Sequence, residues 1–156
     1  MHQRLAAIEA ELSGRGARVI GEIHVNARTS SPEPMVQFKV RADSPVLKAL
    51  LDLAGKYKRP LNIHAQWDPD TAQEVERLAA SNCGAQLILA HRGSTADAPA
   101  IGGVFERNAN LACDLSARSA PPLQGRADRF GLLANLSPAT AEEVAYRNAQ
   151  AWFWLE

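Results

Sequence analysis

An α/β fold built on a parallel sheet is what this sequence predicts, and three observations predict it. Short apolar runs of strand character alternate with stretches of helical period. Most of the helical stretches open on a capping residue or a proline, and the last three strands begin about 25 residues apart, the length of one β/α unit. Strands separated by helix-length segments need crossover connections, so they lie parallel, with right-handed crossovers and covering helices.

Each element has its own signal. Residues 1–15 read as a helix, with Leu5, Ile8 and Leu12 on one face and a stop near Gly14 and Gly16. ARVIGEIHV, residues 17–25, reads as the first strand, followed by a polar loop with Pro32 and Pro34. Ser44-Pro45 opens the next helix, because the hydroxyl caps it and the fixed φ of proline suits the first turn. That helix is apolar at Val46, Leu47, Leu50, Leu51 and Leu53, and Pro60 leads into the strand LNIHA. Asp68-Pro69 starts a helix with Val75, Leu78 and Ala79 inward, ending near Cys83-Gly84. The strand QLILAH follows, then a helix through ADAPAIGGVFERN that Pro99 and two glycines weaken, then the strand LACDL. Residues 117–136 contain no convincing strand, and Ser137-Pro138 opens a final helix through ATAEEVAYRNAQAWFWL. No repeat beyond this alternation and no linker divides the chain, so residues 1–156 are expected to form a single domain.

Composition narrows the function classes. Hydrophobic residues make up 46% of the chain and charged residues 22%, enough to bury a core, and formal net charge is zero. No basic or acidic run suggests a nucleic-acid groove or an anionic membrane patch. The apolar runs are strand-sized, and the first fifteen residues lack the continuous apolar stretch of a secretory signal, so a cytoplasmic protein is expected. Cys83 and Cys113 form no C-x-x-C pattern and read as buried thiols of a reducing compartment.

Chemistry gathers at the strand ends. The carboxyl ends of parallel strands in a β/α barrel form the open mouth where functional side chains project. The first strand ends in GEIHV, which offers Glu22 and His24 on one face, since strand side chains alternate. The second offers His64, with Asn62 and Gln66 in phase, and the third ends at His91, in phase with Leu87 and Leu89. The fourth offers Asp114, in phase with Ala112. Imidazoles and carboxylates are the usual ligands of zinc or manganese, and the same groups without metal can act as general acid and base. Each residue alone has a plainer reading: a histidine satisfying backbone groups, Glu22 paired with an arginine, Asp114 capping the loop after its strand, Arg92 in a salt bridge.

These residues sit in stretches that resemble the amidohydrolase-related family of metal-dependent hydrolases, in its 2-pyrone-4,6-dicarboxylate lactonase-like branch. The stretches are GEIHV, DSPVLKALLDLAGKYKRPLNIHA, LILAHRG, NANLACDLSAR and YRNAQAWF, in the family's order and over most of the chain. The resemblance implies a partial (β/α)8 TIM-like barrel holding about strands four to seven and the C-terminal helices. It implies hydrolysis of an ester, lactone or amide of a small carboxylated molecule. It places His64 and His91 as ligands of one divalent metal ion, zinc or manganese, although lactonase-type members work without metal. Glu22 and Asp114 become the catalytic carboxylates, and His24 and Arg92 line the substrate pocket. The family's strand-one H-x-H pair and its strand-eight aspartate have no counterpart, and Asp128 does not stand in for the latter. A complete barrel takes about 250 residues. A half-barrel would expose strand edges, so a homo-oligomer or a partner half-barrel is expected, with a non-catalytic remnant as the other outcome. An open doubly wound nucleotide-binding sheet is the third possibility, without the G-x-G-x-x-G turn it would want.

Overall fold

The computed structural model describes residues 2–14, 16–28, 33–91, 98–114 and 137–139. Four helices and four strands alternate through them: α1 (His2–Ser13), β1 (Ile20–Asn26), α2 (Pro45–Tyr57), β2 (Leu61–Ala65), α3 (Pro69–Ser81), β3 (Leu87–Ala90), α4 (Ala98–Arg107) and β4 (Leu111–Cys113). The strands form one sheet in the order β1-β2-β3-β4, parallel throughout. Consecutive order with crossovers of one hand puts every helix on the same face. A doubly wound sheet instead reverses its order at a switch point, and the described strands contain no reversal.

The helix starts follow the sequence signals. Ser44 Oγ accepts from the Leu47 amide at the start of α2, and Asp68 accepts from the Thr71 amide at the start of α3, each with proline in the first turn. The termini then need no further partners for those donors, a contribution of about 1 kcal/mol per cap.

One core joins the helices to the sheet. Leu47, Leu50, Leu51 and Ala54 of α2, Val75, Leu78 and Ala79 of α3, and Ile101, Val104 and Phe105 of α4 pack on Leu61, Ile63, Leu87, Leu89 and Leu111. The register explains the selection. Leu61, Leu87 and Leu111 stand side by side across three strands, with Ile63, Leu89 and Cys113 one layer above. The alternate row, Asn62, Ile88 and Ala112, faces away from the helices, and Ile88 and Ala112 form a separate small cluster there. The helix-free face of the sheet therefore leads directly up to His64.

Two local features differ from expectation. Cys83 is exposed and Cys113 half-buried, so the expectation of two buried thiols fails, because Cys83 lies in the turn where the chain leaves α3. The loop after β1 also has structure: the Ala27 amide donates to Phe38 O and the Val40 amide to Val25 O, which lays residues 38–40 antiparallel along the end of β1. Arg41 and Arg77 both bind Asp43, and the Ala42 amide donates to Glu74, so this loop is tied to α3. Among the described residues no helix is long and apolar enough to cross a membrane.

Candidate functional site

The site starts from a bulge in β1. Ile20 pairs with Leu61 and Ile23 with Ile63, so three steps along β1 match two along β2. The extra residue lets Ile20, Ile23 and Val25 all reach the helix-side core, whereas strict alternation would have put Ile20 on the face of Glu22. Bulges re-aim side chains in this way. Gly21 makes the bulge possible: its φ is +136°, and a Cβ there would lie 2.3 Å from the Asn62 carbonyl oxygen. Glu22 and His24 end up together, with Oε1 and Nε2 3.7 Å apart.

His64 follows the strand's own alternation. It pairs in register with His24 on one side and Ala90 on the other, and the His24 and His64 rings stack with centroids 4.5 Å apart. Its Nδ1 lies 2.9 Å from Glu22 Oε1. A carboxylate can only accept, so the ring nitrogen carries the proton in this contact. The His64 side chain is 8% exposed, against 46% for His24.

His91 arrives by another route. By alternation it belongs with Leu87 and Leu89, as its phase in the sequence suggests, and both of those face the helices. Instead His91 is a left-handed residue at φ +54°, a conformation that histidine adopts more readily than most residues. The ring then stands edge-on to His64 at 5.3 Å, and its Nε2 lies 3.4 Å from Glu22 Oε1. Asp114 holds the turn from the next strand end, where its Oδ1 accepts the His91 amide at 3.1 Å. The same oxygen is 3.8 Å from His91 Nδ1, beyond hydrogen-bond range.

Glu22 Oε1 is thus the hub, with nitrogens of His64, His91 and His24 at 2.9, 3.4 and 3.7 Å. Burial pushes the His64 imidazole below its ordinary pKa; its hydrogen bond to the Glu22 carboxylate opposes that shift, and His24 and His91 reinforce it. A neutral imidazole beside a carboxylate can accept a proton or ligate a cation. Among the described residues, one group of three or more potential ligands brings its donor atoms within 4.8 Å of one another, and it is Glu22, His24 and His64. Tetrahedral zinc with bonds of ~2.1 Å wants donors about 3.4 Å apart, so distances of 2.9 and 3.7 Å from Glu22 Oε1 lie close to that spacing. The donor set has the ligand types of a divalent-cation site, with its third separation, His24 to His64, within 4.8 Å.

Of the residues singled out from the sequence, Glu22, His24, His64, His91 and Asp114 meet at one end of the sheet, while Arg92 lies outside the described residues. The grouping differs from the expected His64 and His91 pair, because His24 joins Glu22 and His64 in the compact group and His91 stands beside it. Phe38 was not singled out. Its ring stacks at 6.5 Å on the outer side of His24, brought there by the loop pairing that follows β1. Asn26, two residues beyond His24, was also missed: its Nδ2 contacts Gln66 O, Asp68 and Thr71 and closes the ends of β1 and β2 together. A period of two carried on from GEIHV does not find its role, because a second register shift between His24 and Asn26 pairs Asn26 with the inward Ala65. Asn62, on the site face below His64, keeps a buried Oδ1 without a hydrogen-bond partner among the described residues, the kind of orphan that a ligand or water satisfies. Comparison with family models, with curated proteins and with solved structures gives no match for this chain.

Proposed function

We propose that this chain carries the site of an amidohydrolase-like hydrolase, within a partial β/α barrel, acting on an ester, lactone or amide of a small carboxylated molecule. The observation that carries the reading is the convergence of three imidazoles and two carboxylates at the carboxyl ends of four consecutive parallel strands. In that position they meet a substrate entering from the strand-end loops, as in barrel enzymes. A divalent ion, when bound, would polarise the scissile carbonyl and lower the pKa of water.

The chain's own groups divide the remaining work. His64 faces the carbonyl, directly or through that ion, with His91 beside it. Hydrolysis adds water to the carbonyl carbon, breaks the bond to the leaving oxygen or nitrogen, and moves one proton from the water to the leaving group. His91, half-buried and steadied by Asp114, is placed to take that proton and return it. Glu22 balances the charge, and His24 with Phe38 forms the outer wall. Purified protein would be assayed against panels of small lactones, esters and amides carrying a carboxylate, with and without added zinc or manganese. Turnover that falls at least about 100-fold in both His64→Ala and His91→Ala supports the reading. No turnover on any panel, or activity unchanged in both variants, ends it.

A second reading has one observation in its favour. Among the described residues β1 and β4 are the terminal strands of the sheet, and terminal strands invite pairing. A subunit that completes its sheet against a second copy or a partner half-barrel would sediment as a complex; a stable monomer in dilute buffer would count against it.

A further inference from the structure

We infer that Glu22, His24 and His64, and not a His64–His91 pair, form a divalent-cation site, with the two ligands of β1 presented by the bulge at Gly21. The inference deepens the hydrolase reading and rests on it for the use of the cation, but not for its binding. Three features of the cluster point to this set. Its donor atoms lie within 4.8 Å of one another, and among the described residues no other His, Cys, Asp or Glu group does this. The first ligand pair is an E-x-H on one strand, and only the extra residue at the bulge puts Glu22 next to both histidines while Ile20 and Ile23 stay in the core. The stacked rings of His24 and His64, tilted by 19°, each bring a nitrogen within 3.7 Å of one carboxylate oxygen.

The cation would take the place of the proton that His64 Nδ1 shares with Glu22 Oε1. Evening out the two separations from Glu22 Oε1, 2.9 and 3.7 Å, takes shifts of a few tenths of an ångström, and the His24 and His64 donors lie within 4.8 Å of each other. The exposure gradient from His64 outward to His24 leaves the outer side of the site to solvent, as sites with an open coordination position require. His91 is oriented differently, edge-on to His64 and with its amide fixed by Asp114. It stands beside the cation as a neighbour and is not needed to hold it.

The test uses the full chain and cobalt(II), whose visible absorption reports nitrogen and oxygen ligation without any turnover, with zinc competition for affinity. Losing an outer hydrogen-bond partner of a metal ligand already costs about 10–100-fold in affinity, and losing a ligand costs more. The expected result is one cobalt per chain, with affinity lowered by about 100-fold or more in Glu22→Gln, His24→Ala and His64→Ala. His91→Ala should stay within about threefold of the wild type and show a shifted spectrum at most. His24 is largely exposed, so its variant should fold, which far-ultraviolet circular dichroism checks; His24→Gln gives a second probe with a similar volume. Affinity unchanged in His24→Ala and His24→Gln, loss in His91→Ala as complete as in His64→Ala, or no cobalt bound by the wild type would each overturn the assignment. Cobalt bound as expected by a protein that hydrolyses nothing would sink the hydrolase reading alone.

Discussion

The histidines that close β2 and β3 stand on neighbouring strands and meet the same carboxylate, yet different physics holds them. His64 lies inside its strand, takes its direction from the alternation of the sheet, and is buried between His24, Ala90 and the bulge of β1. His91 lies one residue past its strand, takes its direction from a left-handed backbone, and has its amide held by Asp114 just past β4. The comparison teaches that one half of the site is a property of the whole sheet and the other half is local. Disturbing the β1–β2 half should therefore cost global stability, whereas disturbing the β3–β4 half should alter one ring and little else.

The largest expected effect strikes the sheet under both histidines. Ile63→Ala, next to His64 and fully buried against the helices, should lower unfolding free energy by about 3 kcal/mol in urea denaturation. Gly21→Ala comes next. A methyl group 2.3 Å from the Asn62 carbonyl, at a φ that side chains avoid, should cost at least about 2 kcal/mol. It also sharpens the comparison, since imidazole NMR resonances of His24 and His64 should move more than those of His91, whose Nε2 lies 3.4 Å from Glu22 Oε1; a shift confined to His91 would reverse the picture.

Asp43, in the loop that ties the β1 end to α3, tests the same half through pH. Its hydrogen bond to Arg41 holds the carboxyl well below the usual carboxylate range; burial opposes this, and Arg77 adds to the lowering. A carboxyl with a depressed folded pKa contributes stability above its unfolded pKa of about 3.9, and the contribution is lost as pH falls through the folded value. Wild type should hold this term at pH 5 and above and lose it progressively below about pH 4. Asp43→Asn should be about 2 kcal/mol less stable at neutral pH, since both arginines are half-exposed or more, and its deficit should shrink in acid. A deficit that does not change with pH would rule out the ion pairs as the cause. The smallest effect belongs to the local half. Asp114→Ala should cost no more than about 1 kcal/mol globally, yet speed hydrogen exchange at the His91 amide and shift its ring resonances, with those of His64 unchanged.

Much of this arrangement was legible in the residues. Ser44-Pro45 and Asp68-Pro69 mark helix starts because caps and fixed φ act within one turn. The apolar sets of α2 and α3 follow the helical period, and LNIHA shows its two faces as written, with Leu61, Ile63 and Ala65 inward and His64 outward. His91 was legible as a member of the cluster but not in its geometry, since a period of two carried past the end of β3 puts it among the leucines. Nothing local in AHRG marks a left-handed residue, because the Asp114 that holds it is 23 positions away. The bulge was hidden for a similar reason: GEIHV reads as clean alternation, and only the packing of Ile20 and Ile23 against the same helices reveals the extra residue. Phe38 was read as loop because its neighbours are polar, and its place beside His24 comes from backbone pairing with Val25 and Ala27.

By itself the sequence determined the alternation of strands and helices, the starts of α2 and α3, and the concentration of imidazoles and carboxylates at the ends of the strands. Those features depend on capping, period and composition, which act over one or two turns of chain. Only the tertiary structure decided that the strands run consecutively with helices on one face, that Gly21 bulges β1 against Asn62, and that Glu22 becomes the common partner of three histidines. Contacts between residues tens of positions apart are fixed by how strands pair and pack. No short-range signal encodes a register shift of one residue, and at this site that shift determines which side chains meet.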